Sequence, residues 1–474
     1  MPIFIYNSLS RKKEELIPLE PKKIKMYVCG PTVYDQPHIG HARSAYIFDV
    51  IRRYLTYREY KVKFVRNVTD VDDKIIDKAQ KEFKGEDLNS AVKNVSTKYL
   101  DLYHEDMKSL GILEPDVEPK ATEYVSKENP LMQKFIGQLI ERGCAYVSEG
   151  DVYFDIKKAK GYGKLSNQAI EKMEAGARIA LGEKKKDPLD FALWKSAKEG
   201  EPAWDSPWGK GRPGWHIECS VMSSDILGDE FDIHGGGIDL IFPHHENEIA
   251  QSEGAGKKFA RYWIHHGLLT INGQKMAKSL GNFITVKDFI EKYKDPNLLK
   301  LLFLATHYSH PVDYTVEKIE EARQALKRIL IYVEKNISGS ESQSGDFDEI
   351  DFLEDKFKKV MDDDFNTPQG LAVIFDLISF ANKNRDNMVL HQKAKFILIK
   401  LLEILGIRLT VEIGKTFFDD LGISEGIIKK KIETRGQAKK NKDYTLADSI
   451  RVELEEKGII LEDTRNGTTW RRKL

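Results

Sequence analysis

A strand, a helix and a second strand follow one another near the start of the chain, and this order restricts the fold more than any other feature. Residues 26–28 form a short apolar strand that ends at Cys29-Gly30-Pro31. The helix and the next strand are indicated by apolar residues at matching spacing: Ala45, Phe48, Ile51 and Leu55, then Val62, Phe64 and Val65. A unit of this kind, about 40 residues long, joins two parallel strands through a crossover helix. We therefore predict an α/β fold with a Rossmann-type parallel sheet.

The chain is long enough for several modules. Its 474 residues exceed what one hydrophobic core usually serves. A mixed stretch between residues 111 and 213 interrupts the sheet pattern and indicates an insertion. From 317 to 405 the apolar spacing is helical, and the polar residues 338–346 are typical of a linker. We expect a catalytic domain with an insertion, then a helical bundle and a small C-terminal domain.

Charge and cysteine content exclude some classes of protein. The 74 Lys and Arg balance 75 Asp and Glu, which argues against coating by nucleic acid but allows a local basic face. There is no signal segment and no apolar run that could span a bilayer, so we expect a cytoplasmic protein without membrane contact. Three cysteines indicate a reducing compartment with metal or thiol chemistry. The alternative is three inert buried thiols.

His38-Ile39-Gly40-His41 lies between the first strand and the following helix. Ligands of open parallel sheets bind outside the carboxyl ends of the strands, and a helix N-terminus attracts phosphate. Gly40 lets a ligand approach the backbone, and two imidazoles can donate hydrogen bonds to a phosphate. A loop with surface histidines is the alternative.

A lysine pair occurs in Lys275-Met276-Ala277-Lys278-Ser279. It follows a predicted hairpin whose Asn272-Gly273 turn favours positive φ angles. Two lysines three residues apart suit a triphosphate whose charge must be stabilised as pyrophosphate leaves. A solvated lysine-rich turn is the alternative.

These two segments resemble the HIGH and KMSKS signatures of the class I aminoacyl-tRNA synthetases, with Ala277 where that family usually has Ser. Longer runs resemble the cysteine-specific member of the class: 29–41, 66–74, 214–219, 231–248, 362–368 and 467–471. The resemblance covers essentially the whole chain. It implies that L-cysteine is activated with ATP and Mg²⁺ and is then transferred to the 3′-terminal ribose of a cysteine-specific tRNA. It also implies ATP-binding residues, of which all but the glycine are catalytic: His38, Gly40, His41, Lys275 and Lys278.

The resemblance further implies one Zn²⁺ per chain, held by Cys29, Cys219, His244 and Glu248. Thiolate, imidazole and carboxylate groups are reasonable zinc ligands, and zinc prefers a cysteine thiolate to a serine hydroxyl. Spacing alone leaves the matter open, because a His and a Glu four residues apart on a helix are more often a surface pair. The neighbouring His245 and Glu246 are competing choices. Cys144 is expected to be a structural thiol.

Five residues are implied to line the amino-acid pocket: Gly30, Thr69, Trp215, His234 and Asp239. Trp215 would then form a wall of the pocket, and Asp239 would hold the substrate ammonium through a charge-assisted hydrogen bond. The alternative is a core tryptophan and an aspartate that caps a turn.

The C-terminal part is implied to bind tRNA through residues that include Arg435 and Trp470. Residues 429–442 hold seven Lys and Arg against Glu433, a charge of 7 − 1 = +6, and an aromatic residue can stack on a base. A solvated helix face with a packed Trp470 is the alternative. A monomer is expected.

The expected domains follow from these assignments. Residues 1–115 and 206–255 form the two halves of the catalytic domain, and 116–205 form the connective insertion. Residues 256–316 contact the stem and carry the KMSKS-like loop. Residues 317–410 form the anticodon-binding bundle, and 411–474 form the C-terminal tRNA-binding domain.

Two other functions stay open at this point. One is a cysteine ligase of the same fold that acts on an amino-sugar, which would share the zinc and ATP motifs without a tRNA-binding C-terminus. The other is a non-catalytic RNA-binding or zinc-structural protein, against which the intact histidine and lysine motifs argue.

Overall fold

The computed structural model describes residues 1–168, 184–334, 347–384, 387–409, 425–441, 443–456, 459–464 and 467–472. The linker expected at residues 338–346 lies outside the described residues. Among the described helices, none is both long enough and apolar enough to cross a membrane.

The elements are named here in chain order. The strands are β1 (Phe4–Asn7), β2 (Lys12–Glu15), β3 (Lys23–Val28), β4 (Lys61–Arg66), β5 (Ala145–Ser148), β6 (Asp151–Phe154), β7 (Phe191–Ser196), β8 (Gly211–Pro213), β9 (Glu230–Gly237), β10 (Phe259–His266), β11 (Leu269–Ile271), β12 (Gln274–Lys275), β13 (Val312–Tyr314), β14 (Ile459–Thr464) and β15 (Gly467–Arg472). The helices are α1 (Ile39–Tyr57), α2 (Asp73–Glu82), α3 (Leu88–Ser109), α4 (Leu131–Glu141), α5 (Trp215–Leu227), α6 (Glu246–Gly254), α7 (Val286–Tyr293), α8 (Pro296–Leu304), α9 (Val316–Glu334), α10 (Asp348–Met361), α11 (Thr367–Lys383), α12 (Met388–Ile404), α13 (Glu425–Lys440) and α14 (Tyr444–Glu456).

The central sheet has the order β10-β9-β3-β4, and its neighbouring strands are all parallel. Val28 pairs with Arg66 on one side and with Gly235 on the other. The carboxyl ends of β3, β4 and β9 therefore lie side by side. The predicted α/β fold with a parallel sheet is confirmed.

The glycines at 235–237 belong to β9 and do not end it. A side chain at Gly235 would lie 2.2 Å from the ring of Phe48 on α1. Glycine is needed there because it lets the helix pack directly on the sheet.

The insertion carries a four-stranded antiparallel sheet in the order β5-β6-β7-β8. Its buried Trp194 belongs to the same apolar cluster as Tyr27 of β3 and Phe231 of β9. The insertion therefore packs against the central sheet and shares its core. The boundaries expected for the domains stay predictions.

Helix α1 connects the central sheet to the helical bundle of α9 to α12. The hydroxyl of Tyr46 donates to the carbonyl of Leu405 at the end of the bundle, at 2.5 Å. The hydroxyl of Tyr57 donates to Glu354 of α10 at 2.8 Å. Since α1 begins at the histidine motif, one rigid element runs from that motif to the bundle.

The turn between α10 and α11 fastens the bundle to the first domain. Asp362 accepts a hydrogen bond from the hydroxyl of Tyr54 at 2.5 Å and pairs with Arg58. Asp364 accepts hydrogen bonds from the hydroxyl of Tyr308 at 2.6 Å and the amide of Tyr6 at 2.8 Å. Asp362 and Asp364 therefore bind other parts of the same chain.

The C-terminal part contains α13, α14 and the antiparallel hairpin β14–β15. It has an apolar cluster of its own: Ile428, Ile450, Leu454, Ile459 and Leu461.

Asp362 and Asp363 are neighbours in the turn, but their side chains are 6% and 57% exposed. Asp362→Ala leaves Arg58 and Tyr54 without their partner, and we expect the free energy of unfolding to fall by about 3–5 kcal/mol. Asp363→Ala removes a surface pair with Lys13 and should cost less than about 1 kcal/mol. Denaturant unfolding of both variants is the measurement, and equal losses would contradict the buried contact.

Candidate active site

The candidate site lies at the carboxyl edge of the central sheet. Cys29 directly follows β3, and its amide donates to the carbonyl of Gly235 in β9 at 3.1 Å. Asn67 directly follows β4, and its side-chain oxygen accepts from the amide of Gly30 at 2.9 Å. The residues that follow β3 and β4 thus lie next to the end of β9.

The four residues expected to bind a metal lie together here. The ligand atoms of Cys29, Cys219, His244 and Glu248 all fall within 4.8 Å of one another. The two sulfur atoms are 3.7 Å apart, and His244 Nε2 lies 3.0 Å from Glu248 Oε1. His244 lies in the π-helical turn of residues 241–245, which leads directly into α6, and Glu248 follows four residues later on α6. This spacing directs the imidazole of His244 to the carboxylate, as the sequence pattern had indicated.

Glu248 also joins a second possible ligand group, formed by Cys29, His234, His245 and Glu248. Its Oε2 atom lies 2.8 Å from His234 Nε2, while its Oε1 atom faces His244. His245 Nε2 lies 3.3 Å from the sulfur of Cys29. The buried carboxylate therefore has an imidazole on each of its oxygens.

The charges of this cluster depend on one another. Burial raises the pKa of Glu248, but His234 and His244 outweigh it and lower that pKa to about 2. Burial lowers the pKa of His244, but Glu248 prevails and raises it to about 10. Burial also raises the pKa of Cys219, yet the hydrogen bond to Cys29 helps to lower it to about 6. The pKa of Cys29 is raised well above its usual value, chiefly by burial. At neutral pH, Glu248 and Cys219 are thus anionic, while His244 is protonated between them and Cys29 stays a neutral thiol.

Further histidines surround these ligands, and the sequence analysis did not assign them a role. His245 Nδ1 lies 2.8 Å from His265 Nε2, and His265 Nδ1 lies 2.8 Å from the hydroxyl of Ser8. The ring nitrogens Nδ1 of His216 and His244 are 2.9 Å apart. A signal was present, since six of the 12 histidines occur within 51 residues: His216, His234, His244, His245, His265 and His266.

Two residues expected in the amino-acid pocket contact the cluster or its neighbours. The ring of Trp215 stacks on His244 with centroids 4.1 Å apart, and its side chain is 38% exposed. Trp215 is therefore not a core residue, and its place in the wall of the pocket stays a prediction. Thr69 donates its hydroxyl to the buried carboxyl of Glu218 at 2.6 Å. Glu218 had no assigned role in the sequence analysis.

The other pocket residues occupy different positions. A side chain at Gly30 would lie 1.6 Å from the carbonyl oxygen of Asn67, so only glycine fits. His234 is fully buried behind Glu248. Asp239 is exposed in the turn after β9.

The two histidines of the first motif have defined tautomers. His38 Nδ1 accepts from the amides of Gly40 at 3.1 Å and His41 at 3.3 Å, which caps the N-terminus of α1. His41 Nδ1 accepts from the amide of His38 at 3.3 Å. An accepting Nδ1 carries no proton, so each neutral ring is protonated at Nε2. Neither Nε2 has a hydrogen-bond partner among the described residues, and both can donate to a ligand.

Both histidines are neutral near pH 7. Burial lowers the pKa of His38 to about 4 and that of His41 to about 3. The rings stack with centroids 3.7 Å apart, so two positive charges there would repel. They are therefore hydrogen-bond donors and not cations.

The lysine motif lies against the histidine motif. The amide of Ile39 donates to the carbonyl of Ile284, just after the lysine loop, at 3.1 Å. Lys278 pairs with Asp35 and lies 4.9 Å from the ring centroid of Phe283. That ring meets His38 edge-on at 5.3 Å. Lys275 is exposed in β12, and the described residues provide no partner for its ammonium.

The two residues expected to contact tRNA differ in exposure. The side chain of Arg435 is 2% exposed and forms two hydrogen bonds with Asp463, at 2.8 and 2.9 Å. Trp470 packs partly against the apolar cluster of the C-terminal part. These contacts favour structural roles for both residues, and their contact with tRNA stays a prediction.

Comparisons with known proteins agree with this arrangement. A family described as the catalytic domain of class I (C) tRNA synthetases matches residues 15–324, and a DALR domain matches residues 356–410. A cysteine–tRNA ligase of Geobacillus sp. (strain WCH70) is 50% identical over 483 residues and covers 99% of both chains. One of Anoxybacillus flavithermus is 49% identical over 486 residues and covers 100% of both.

The solved structure of Mycobacterium tuberculosis methionyl-tRNA synthetase with methionyl-adenylate has a similar fold. It aligns with a TM-score of 0.56 over 85% of this chain and 94% of that chain, at 16% identity.

The lowered pKa values predict acid sensitivity. Burial lowers the pKa of His38, His41 and His266 to about 4, 3 and 4. Below about pH 6.5 the unfolded chain binds protons that the folded protein does not. The free energy of unfolding should therefore be highest above pH 6.5 and fall towards pH 4, by at most about 1.4 kcal/mol per pH unit for each histidine.

Denaturant unfolding between pH 7.5 and pH 4.5 measures this slope. His38→Asn removes one titrating ring but keeps a capping oxygen, so it should flatten the slope. His104→Gln is the control, because the hydrogen bond that His104 donates to Glu118 raises the pKa of His104, and the loss of this ring should not flatten the slope. An unchanged slope in His38→Asn would contradict the assignment.

Proposed function

The chain belongs to the cysteine–tRNA ligase family of class I aminoacyl-tRNA synthetases, and we propose that it joins L-cysteine to its cognate tRNA in two ATP-dependent steps. The observation that carries the proposal is the arrangement of three groups. The possible metal ligands lie at the end of β3, the histidine motif starts the helix that follows β3, and the lysine motif packs against the histidines. We further propose that the enzyme is a cytoplasmic monomer and that Mg²⁺ accompanies ATP.

In the first step the cysteine carboxylate attacks the α-phosphorus of ATP. A carboxylate–phosphorus bond forms, the bond to the β-phosphate oxygen breaks, and pyrophosphate leaves. The Nε2–H groups of His38 and His41 donate to phosphate oxygens, while the ammonium groups of Lys275 and Lys278 compensate the charge of the leaving pyrophosphate. Gly40 lets ATP approach the backbone. The carboxylate is already ionised, so no general base is required.

Lys278 must leave Asp35 to reach the nucleotide. A surface ion pair of this kind is worth only about 0–1 kcal/mol, so the phosphates can compete for the lysine. The ion pair thus holds the lysine loop near the histidines, and little free energy is needed to break it when the loop moves.

Cys29, Cys219, His244 and Glu248 would hold one Zn²⁺. Their donor set and mutual distances fit the metal, and His234 orients the carboxylate of Glu248 from behind, as groups around metal ligands commonly do. A bound Zn²⁺ supplies a soft Lewis acid that prefers the cysteine thiolate to a serine hydroxyl.

The remaining pocket residues position the amino acid. Trp215 walls the side-chain pocket, and its contact with His244 places it beside the ligands. Asp239 is exposed at the rim, where its carboxylate can pair with the substrate ammonium. Gly30 and Thr69 line the floor, next to Asn67 and Glu218.

In the second step a ribose hydroxyl at the 3′ end of tRNA attacks the carbonyl carbon of the cysteinyl adenylate. The new ester bond forms and AMP leaves with the electrons of the broken bond. We propose that residues 256–316 contact the stem, 317–410 the anticodon arm, and 411–474 further tRNA nucleotides. Arg435 would support this last domain through Asp463, and exposed lysines such as Lys430 would contact phosphates.

The decisive experiment measures cysteine-dependent ATP–pyrophosphate exchange and tRNA charging with the intact protein. Exchange and charging are both expected. A protein that exchanges pyrophosphate but charges no tRNA would instead support the amino-sugar ligase. A protein inactive in both assays would refute the proposed enzyme.

The purified protein should carry close to one zinc ion per chain. Cys219→Ser removes a ligand and should lower both the zinc content and cysteine activation, because a serine hydroxyl is a poor zinc ligand. Cys144→Ser is the matched control, since Cys144 lies outside the ligand group. Elemental analysis is the measurement, and full zinc content in Cys219→Ser would refute the ligand assignment.

Two substitutions at His38 separate the cap from phosphate donation. His38→Asn keeps an oxygen for the cap but cannot reach the position of Nε2, so it should melt like wild type and form adenylate about 10²–10³-fold more slowly. His38→Gln reaches that position but loses the cap, so it should cost about 1 kcal/mol of stability and retain more activity. Melting curves and rapid-quench kinetics give the two rankings. The same ranking in both assays would contradict the two roles.

A chain that ends after Leu409 should keep pyrophosphate exchange and lose most tRNA charging. This end preserves the carbonyls of Leu405, Gly406 and Arg408 that α1 and α8 hold. Charging by the intact protein should fall with added salt more steeply than exchange does, because phosphate contacts release counterions. A melting curve must first show that the shorter protein is folded. Undiminished charging by a folded truncation would exclude a role of the C-terminal domain.

A further inference from the structure

Arg43 lies on α1 two residues after His41 and belongs to neither phosphate motif. Its side chain is a buried cation. Its residue exposure is 1%, and no carboxylate of the described residues pairs with it. Burial lowers its pKa to about 10, so the guanidinium is charged at neutral pH. A buried charge without an acidic partner requires other compensation.

Four backbone carbonyls provide that compensation. Nη1 of Arg43 donates to the carbonyls of Gly267 and Leu268, both at 2.5 Å. Nη2 donates to the carbonyls of Tyr308 at 3.2 Å and His310 at 2.5 Å. One rigid, planar donor group thus joins two chain segments that lie about 40 positions apart in the sequence.

The first of these segments leads directly into the lysine hairpin. Gly267 and Leu268 precede β11, which pairs with β12, and β12 ends at Lys275. The second segment leads into β13, which pairs with β11 in parallel. Arg43 therefore holds both segments that lead into this small sheet.

We propose that Arg43 is a positioning residue for adenylate formation, which sets the lysine hairpin relative to the histidine helix. This inference rests on the proposed function. His38 and His41 are at the N-terminus of α1, and Arg43 fixes the base of the hairpin to the same helix. The distance from the Nε2–H donors to the lysines then depends on this side chain together with the backbone contact between Ile39 and Ile284. No substrate contact is required of it.

The geometry accounts for an arginine at this position. A lysine would keep the charge, but its three N–H bonds all start from one nitrogen atom. They cannot reach four carbonyls that are arranged around a planar guanidinium. Misplacement of a catalytic group by about 1 Å can cost roughly 100-fold in rate. The expected effect of Arg43→Lys is thus on the chemical step and not on binding.

The test compares Arg43→Lys with Arg53→Lys, a second arginine of α1 that bonds Asp49 and the carbonyl of Gly111. Arg43→Lys should slow single-turnover adenylate formation by roughly 100-fold with an unchanged KM for cysteine. Arg53→Lys should leave that rate near wild type. A wild-type rate in Arg43→Lys would overturn the inference. The proposed function is judged separately, by whether the wild-type protein itself forms the adenylate.

A double variant separates positioning from a general loss of structure. If Arg43 acts by placing Lys275 at the end of the hairpin, then Arg43→Lys combined with Lys275→Ala should be no slower than Lys275→Ala alone. Rate losses that multiply would show independent effects and would overturn the inference.

Gly267→Ala perturbs the same junction from the other side and serves if Arg43→Lys does not fold. A side chain at Gly267 would lie 2.3 Å from the carbonyl of His310, so it must push the hairpin base away from the segment that Arg43 holds. The same fall in rate with unchanged KM for cysteine is expected. A normal rate in folded Gly267→Ala would overturn the inference.

Discussion

The hydrogen bonds that pair β3 with β4 and with β9 are the constraint on which the rest of the structure depends. They align the ends of three strands from distant parts of the sequence, with Val28 between Arg66 and Gly235. Cys29, which follows β3, therefore lies beside the end of β9 and close to the ligands on α5 and α6. The helix that follows β3 starts at the same edge, so the phosphate motif lies near the ligand group.

Buried charge is tolerated in the site because the groups compensate one another. Glu248 is fully buried, and it would be costly there without the imidazoles of His234 and His244 on its two oxygens. His38 and His41 follow the opposite rule, since they are half-buried without an acidic partner in contact and stay neutral. One site thus combines an ionised cluster for a cation with neutral donors for phosphates.

Much of the fold could be predicted from local pattern. Apolar spacing identified β3, α1 and β4, and the turn residues Asn272-Gly273 identified the hairpin of β11 and β12. The site was only partly predictable. The ligand set came from the resemblance, and its members lie together, but Glu218 and His265 were missed because no local spacing connects a buried polar residue with its distant partner.

The sequence by itself determined the order of strands and helices, the positions of the histidine and lysine motifs, and the family to which the chain belongs, because these depend on neighbouring residues. Tertiary structure alone decided which groups meet. It brings Cys29 beside Cys219, pairs Lys278 with Asp35, and encloses Arg435 against Asp463. Each of these contacts depends on how separate elements pack, and a one-dimensional pattern does not contain the distance between them.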